Sequence, residues 1–440
     1  MRVVGLLLVL LSLPAVIFWL KGNATRFRHA AFAVGFLPFV IAAFNLDASL
    51  VNWAMWPGHT KGIIVTFLDS IALAVLIANR RKLGWPAFLS LFILYLVAAV
   101  ISILFADVAL SSAFYAFQIA RMILVFVAVV ALMQYEGSAV WLCYGLAGAT
   151  ILQAAYSIFQ KLQGVAQATG TLSHQNMLGM MLHFSTLPLI ALILAGNRNP
   201  LVLIGSLAGL LAAALTASRA TIGFLSIGIA VLVCLSLVRK ATLIKWRALG
   251  LGIFAAAIVI PLSLSALAER SEADKISGDE ERAAFERAAL MMWEDNPMGV
   301  GANEYVVTAN VGGYSDAAGV VAVRGSRAAH VHNIYLLHAA EMGWLGLVAF
   351  ILLVFGAFLR GITFALRRGD DPRGDLVLGA SVALLVMAMH GYLEWIIVTT
   401  SPQYLIAITA GIIAGAYLVP ERRPEAKVAK RADIVERVMR

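Results

Sequence analysis

The sequence predicts an all-α polytopic membrane protein, and three observations carry that prediction. Of its 440 residues, 61% are hydrophobic and 13% charged, about half the charged share of a soluble domain. Apolar runs of spanning length recur along the chain, giving about 12–13 transmembrane helices. Lys and Arg gather in short clusters between the runs, and only one polar loop is long. The runs are too continuous for barrel strands, which alternate over about ten residues.

Taken in order, the runs cover 3–20, 30–47, 61–78, 85–105, 113–133, 138–160, 175–195, 201–217, 220–238, 248–267, 334–359, 375–398 and 402–419. The first resembles a signal-peptide core, but Lys21 to Thr25 is a poor cleavage site and many spans follow, so it reads as a retained helix. Arg80-Arg81-Lys82, Arg239-Lys240 with Lys245 and Arg247, Arg367-Arg368 and the tail from Arg422 to Arg431 fall on the cytoplasmic side by the excess of basic residues there. Lys21, Arg26 and Arg28 fall inside too, which puts the N-terminus outside if the first run spans. The net charge of +9 therefore reads as inner loops facing anionic lipid, and no nucleic-acid partner is expected. Cys143 and Cys234 both lie in apolar runs and read as packing residues.

The same count puts residues 268–333 on the outer face, where eleven Asp/Glu outnumber six Lys/Arg. The division is thus an N-terminal bundle over 1–267, this loop, C-terminal helices over 334–419 and a basic tail over 420–440. Within the loop, Glu280–Glu294 reads as a helix lying along the membrane surface, with Arg282, Phe285, Ala289 and Met292 on one stripe. Asn296-Pro297-Met298-Gly299-Val300-Gly301 ends it, since proline disfavours helix before it and glycine tolerates positive φ.

The chemically interesting polar residues collect on that outer side. Arg219, in Leu215-Thr216-Ala217-Ser218-Arg219, is either a snorkelling arginine or a phosphate ligand, to which its planar fork is suited. Arg282 either pairs with Glu286 in solvent or serves a ligand, and its place on the apolar stripe argues against pure solvation. His174 and Asn176 stand at the outer start of a span, where capping by Ser173 or His174 is the default. Arg121 lies inside a span and calls for a partner, such as Asp69. His390 and Glu394, four apart on one helix face, have the spacing of a proton relay or a metal pair, but no third ligand stands beside them, so a helix–helix hydrogen bond is the favoured reading. His332-Asn333 leads into a span that carries Glu341, Gly343 and Gly346 and puts an imidazole at the rim. No Walker loop, dinucleotide-binding turn, HExxH or Gly-x-Ser-x-Gly elbow is present, so neither metal nor cofactor is expected. Arginines beside histidines suit an anionic, diphosphate-bearing substrate: guanidinium stabilises the leaving group while imidazole takes a proton.

Four segments in this order resemble the O-antigen ligase/polymerase superfamily of bacterial envelope glycosyltransferases. They are Gly170-Thr-Leu-Ser-His-Gln-Asn176, the Arg219 turn, Arg282 fifteen residues before Pro297-x-Gly299-x-Gly301, and His332-Asn333 followed after nine residues by Gly343 and then by Gly346. The resemblance covers about 165–350. It implies a multi-pass protein of the bacterial inner membrane with the loop periplasmic. It further implies an undecaprenyl-diphosphate-linked glycan as donor and, as acceptor, lipid A-core for a ligase or a lipid-linked glycan for a polymerase, without metal and with inversion. Carried over, Arg219 and Arg282 become the diphosphate clamp and His332 the base. The extra His330, with Arg327 nearby, leaves open which imidazole faces the acceptor, though the spacing favours His332. The His-Asn pair tilts the choice toward ligase. A lipid-linked substrate transporter would place polar groups through the full membrane depth. A non-catalytic envelope scaffold would not need His332 or Arg282.

Overall fold

A computed structural model describes residues 2–253 and 272–418. Most of the run at 248–267, the start of the outer loop and the basic tail lie outside the described residues. The elements run α1 (Arg2–Gly22), α2 (Arg26–Phe36), β1 (Asp47–Asn52), β2 (Gly62–Thr66), α3 (Phe67–Ala78), α4 (Leu89–Ser102), α5 (Ala109–Met133), α6 (Ser138–Leu162), α7 (Gln175–Leu194), α8 (Pro200–Leu215) and α9 (Arg219–Arg239). After the undescribed segment come α10 (Glu272–Asp295), α11 (Tyr305–Val311), the single turns α12 (Tyr314–Ala317) and α13 (Arg324–Arg327), then α14 (Ile334–Arg367), α15 (Gly374–Gly391) and α16 (Thr400–Leu418).

The protein is an all-α polytopic membrane protein. Among the described residues seven helices are long and apolar enough to cross a membrane: α5, α6, α7, α9, α14, α15 and α16. Four shorter apolar helices, at 11–22, 67–78, 89–105 and 200–215, complete the apolar set. The centre of the bundle is α7, α15 and α16, each buried on most sides, with α5 packed on α16 and α14 on α15.

One expected span divides in two. Residues 62–66 form β2, antiparallel to β1 with a register shift between Ser49 and Val51, and the helix begins only at Phe67. Ile63, Ile64, Val65 and Thr66 are β-branched and suit a strand. Thr66 then caps α3: its side chain accepts from Asp69 N–H while Asp69 Oδ2 accepts from Thr66 N–H at 2.7 Å. The hairpin loop is tied to the segment before α11, since Asn303 Oδ1 accepts from Thr60 N–H and Asn303 Nδ2 donates to Thr60 O.

Asp69 is also the partner of Arg121. Arg121 Nε lies 2.9 Å from Asp69 Oδ2, and the Tyr404 hydroxyl donates to Asp69 Oδ1 at 2.6 Å. A buried guanidinium is thereby neutralised and hydrogen-bonded, which its burial demands. At the opposite end of the bundle from the site described below, Arg239 and Lys245 share the Asp375 carboxylate.

The loop motif and the glycines of α14 form one joint. Gly343 takes φ 62°, ψ −160°, which breaks the helix and frees the carbonyls of Ala340 and Glu341. Val300 N–H and Gly301 N–H donate to those two carbonyls, both at 2.9 Å, and Trp344 N–H donates to Pro297 O. Gly299 and Gly301 take φ +85° and +104°, and a Cβ on Gly299 would stand 2.6 Å from Gly343 N. Gly299 and Gly343 therefore mark a backbone-on-backbone contact that side chains would block. The joint fixes α10 against α14 and sets where Arg282 and His332 stand.

Candidate active site

The starts of α7 and α9, the middle of α10 and the segment after α15 build a cleft of about 550 Å³ at one rim of the bundle. The α8–α9 turn supplies Arg219; it is tightened by Ala217 at φ 51° and capped by Ser218, which accepts from Thr221 N–H. A non-glycine residue in the left-handed region stores strain of order 1–3 kcal/mol, here placed next to the arginine it aims. The start of α7 supplies Asn176, α10 supplies Arg282, and the segment after α15 supplies Glu394.

On α10, Phe285, Ala289 and Met292 are buried while Arg282 is exposed, so the apolar stripe seats the helix and leaves the guanidinium free toward the cleft. Neither Arg219 nor Arg282 forms an ion pair with another described residue. Two guanidiniums on one cleft offer the planar, charged donors that suit oxyanions.

His332 reaches the cleft through Glu394. Its Nδ1 lies 3.5 Å from Glu394 Oε2, and its side chain is 30% exposed against 4% for the carboxylate. The other carboxylate oxygen accepts from Asn176 Nδ2. The Phe285 ring lies 6.2 Å from the imidazole and links it to α10. Glu394 is the residue that sequence reasoning placed elsewhere: it follows α15 rather than lying on it, and His390 instead pairs with His183 at 2.9 Å.

The other sequence-predicted residues take different positions. Asn333 caps α14 and accepts from Tyr335 and Leu336 N–H. His174 caps α7 and accepts from Asn176 N–H at 3.2 Å. Arg327 braces the loop, donating to Asp316 and to the Val320 carbonyl. Arg121 stands in its own buried network with Asp69, on a separate apolar groove.

Glu341 and His330 belong to a second buried cluster. Glu341 Oε2 lies 3.2 Å from His59 Nε2, and Glu341 Oε1 accepts from Tyr305 N–H. The His330 ring stacks on Trp395 at 4.2 Å and lies 5.7 Å from His59. Burial, with His59 and His332 nearby, pushes the His330 pKa well below 6.5, so that imidazole stays neutral. His59, a lone histidine in a turn far upstream, carried no sequence signal for this role. Among the described residues, no three of His, Cys, Asp and Glu converge as metal ligands would.

The fold defines a class, a polytopic helical membrane protein, with a cleft at one rim lined by Arg219, Arg282 and Glu394. Residues 204–351 match the family model described as O-antigen ligase, so this part of the chain is similar to the O-antigen ligase-like superfamily. That segment holds Arg219, Arg282, the Pro297–Gly301 turn, His332, Gly343 and Gly346, whereas Asn176 and Glu394 lie outside it. No curated protein matches the chain.

Proposed function

We propose that the cleft transfers a glycan from undecaprenyl diphosphate to an acceptor hydroxyl, with inversion, without metal, on the periplasmic side of the bacterial inner membrane. The single observation that carries this reading is the pair of uncommitted guanidiniums, Arg219 and Arg282, lining one cleft whose wall carboxylate touches His332. The acceptor oxygen attacks the anomeric carbon and its proton passes to His332. The bond from that carbon to the diphosphate oxygen breaks, and its electron pair stays on the leaving diphosphate. The two arginines stabilise that charge, and the His332 imidazole accepts the proton. The basic clusters of the opposite end, including Arg239 and Arg367, support the cytoplasmic assignment of that end.

Lipid A-core is the acceptor we favour, on the His332-Asn333 pair with its glycine spacing; a polymerase would instead extend a lipid-linked glycan. The division into an N-terminal bundle, a periplasmic loop, C-terminal helices and a cytoplasmic tail belongs to the same reading. The test is purified protein with undecaprenyl-diphosphate glycan, with and without lipid A-core, in the presence and absence of EDTA. Product on lipid A, unaffected by EDTA, is expected. Lengthened carrier-linked chains alone would make the protein a polymerase, and loss of activity in EDTA would overturn the metal-free mechanism.

A further inference from the structure

Glu394 is a carboxylate in a cleft whose arginines point to an anion, and that placement needs a reason. Its side chain is 4% exposed, and it pairs with neither Arg219 nor Arg282 although all three line the same cleft. Its contacts are His332 Nδ1 at 3.5 Å and the Asn176 amide. A buried carboxylate without a cation is costly, and a like charge beside a diphosphate site weakens binding there. Both costs fall when the neighbouring imidazole carries a proton, because carboxylate and imidazolium then neutralise one another.

We propose that Glu394 is the positioning residue of the site: it holds His332 with Nδ1–H toward the carboxylate and Nε2 toward the acceptor, and it stabilises the imidazolium formed during transfer. The proposal rests on the reading of His332 as the base. In the balanced step the acceptor proton goes to Nε2, Glu394 remains ionised throughout, and the proton then leaves from the exposed side of the imidazole to water. The 3.5 Å contact is an ion-pair distance, and Nδ1 makes no hydrogen bond among the described residues; catalytic hydrogen bonds are often long until substrate binds. Asn176, from α7, occupies the far oxygen and so aims the near one at His332.

Among the described residues, Glu394 is the charged group that pairs with His332, and His390 of α15 interacts electrostatically with the same carboxylate. Glu394 faces it from the end of α15, and Arg282 from α10 and Arg219 from α9 stand on the cleft that Glu394 lines. His330, two residues before it, is held neutral by burial and adds no charge.

The test uses the full chain in lipid nanodiscs, with Glu394→Gln and Glu394→Asp. One readout is kcat and KM for undecaprenyl-diphosphate glycan across pH. The other is the pH dependence of His332 carbethoxylation by diethylpyrocarbonate, followed by peptide mass spectrometry, which needs no turnover. For Glu394→Gln we expect kcat to fall roughly 100-fold or more, as when a triad carboxylate is neutralised, while KM for the donor stays the same or falls. The carbethoxylation midpoint of His332 should move down, because a negative charge 3.5 Å from Nδ1 has been removed. Glu394→Asp should keep the wild-type midpoint with intermediate kcat. A lower kcat with an unmoved midpoint in Glu394→Gln would make Glu394 a structural tie between α7 and α15 and overturn the proposal. A His332→Ala variant distinguishes the two levels: if it is inactive while Glu394→Gln behaves as wild type, the base reading stands and the positioning role falls. If His332→Ala turns over at the wild-type rate, both fall.

Discussion

Replacing Gly343 by alanine should destabilise the protein more than any other single methyl group added to α14. The glycine sits at φ 62°, ψ −160°, a conformation that costs any other residue of order 1–3 kcal/mol. The added Cβ would also stand 2.6 Å from Met298 Cα, and the other atoms it meets are backbone atoms of Pro297 and Met298. No side chain can swing aside to relieve that overlap. Relief requires the loop to withdraw from the joint that holds Val300, Gly301 and Trp344 N–H against their carbonyls. Losing even one of these bonds leaves a buried backbone group unpaired, at about 1–3 kcal/mol. The sum is about 2–6 kcal/mol, a large part of a total stability of about 5–15 kcal/mol. Gly356 on the same helix is the control, because a Cβ there meets only the Leu91 Cδ1 at 2.9 Å, the end of a flexible side chain. Gly356→Ala should be neutral or stabilising by up to about 1 kcal/mol. The assay is SDS titration in mixed micelles followed by tryptophan fluorescence, to which the Trp293–Trp344 pair, 4.3 Å apart beside the joint, contributes. Equal stability of the two variants would refute the account of the glycine spacing.

Three further outcomes follow from the same structure. Asp69→Asn leaves the buried Arg121 without its counter-charge and should cost about 3–5 kcal/mol in the same titration; a loss under 1 kcal/mol would contradict the role given to this pair. The unfolded chain protonates His330 near pH 6.5 while the folded chain holds it neutral to a much lower pH. Stability should therefore fall as pH drops below about 6.5, and His330→Gln should flatten that dependence, measured as unfolding midpoints at pH 7.5 and 5.0. Arg219→Ala and Arg282→Ala should each raise the KM for the diphosphate donor at least tenfold, by loss of a charge-assisted contact worth about 1.5–3 kcal/mol. Lysine at either position should restore this only partly, because it cannot present a planar fork; unchanged donor KM in both alanine variants would remove the clamp.

What the sequence made legible was whatever depends on local pattern. Apolar runs announced the helices, and Arg219 and Arg282, read as lying on one face by counting spans between basic clusters, line one cleft. Asp69 was named as a partner for Arg121 because a charge at that depth needs one. The β1–β2 hairpin was hidden because Ile63, Ile64 and Val65 are as apolar as a span, and only their β-branching separates strand from helix. Glu394 was misplaced for a different reason. Its spacing from His390 suggested one helix face, but α15 ends at Gly391, and the carboxylate turns to α7 and to a loop 62 residues upstream in sequence. The His59–Glu341 contact joins residues 282 apart and has no local signature at all. Helix caps such as Asn333 and His174 sit beside the site because helix ends help build it, and their observed bonds are those of caps.

The central claim is that the Arg219–Arg282 cleft performs glycan transfer with His332 as base. The most direct measurement is single-turnover transfer from undecaprenyl-diphosphate glycan to lipid A-core by His332→Ala in nanodiscs, alongside donor binding by the same sample. The account predicts transfer reduced by about 100-fold or more, the usual contribution of a general base, with donor binding within about twofold of wild type because the arginines remain. Wild-type transfer by His332→Ala, with the protein folded and donor bound, would contradict it.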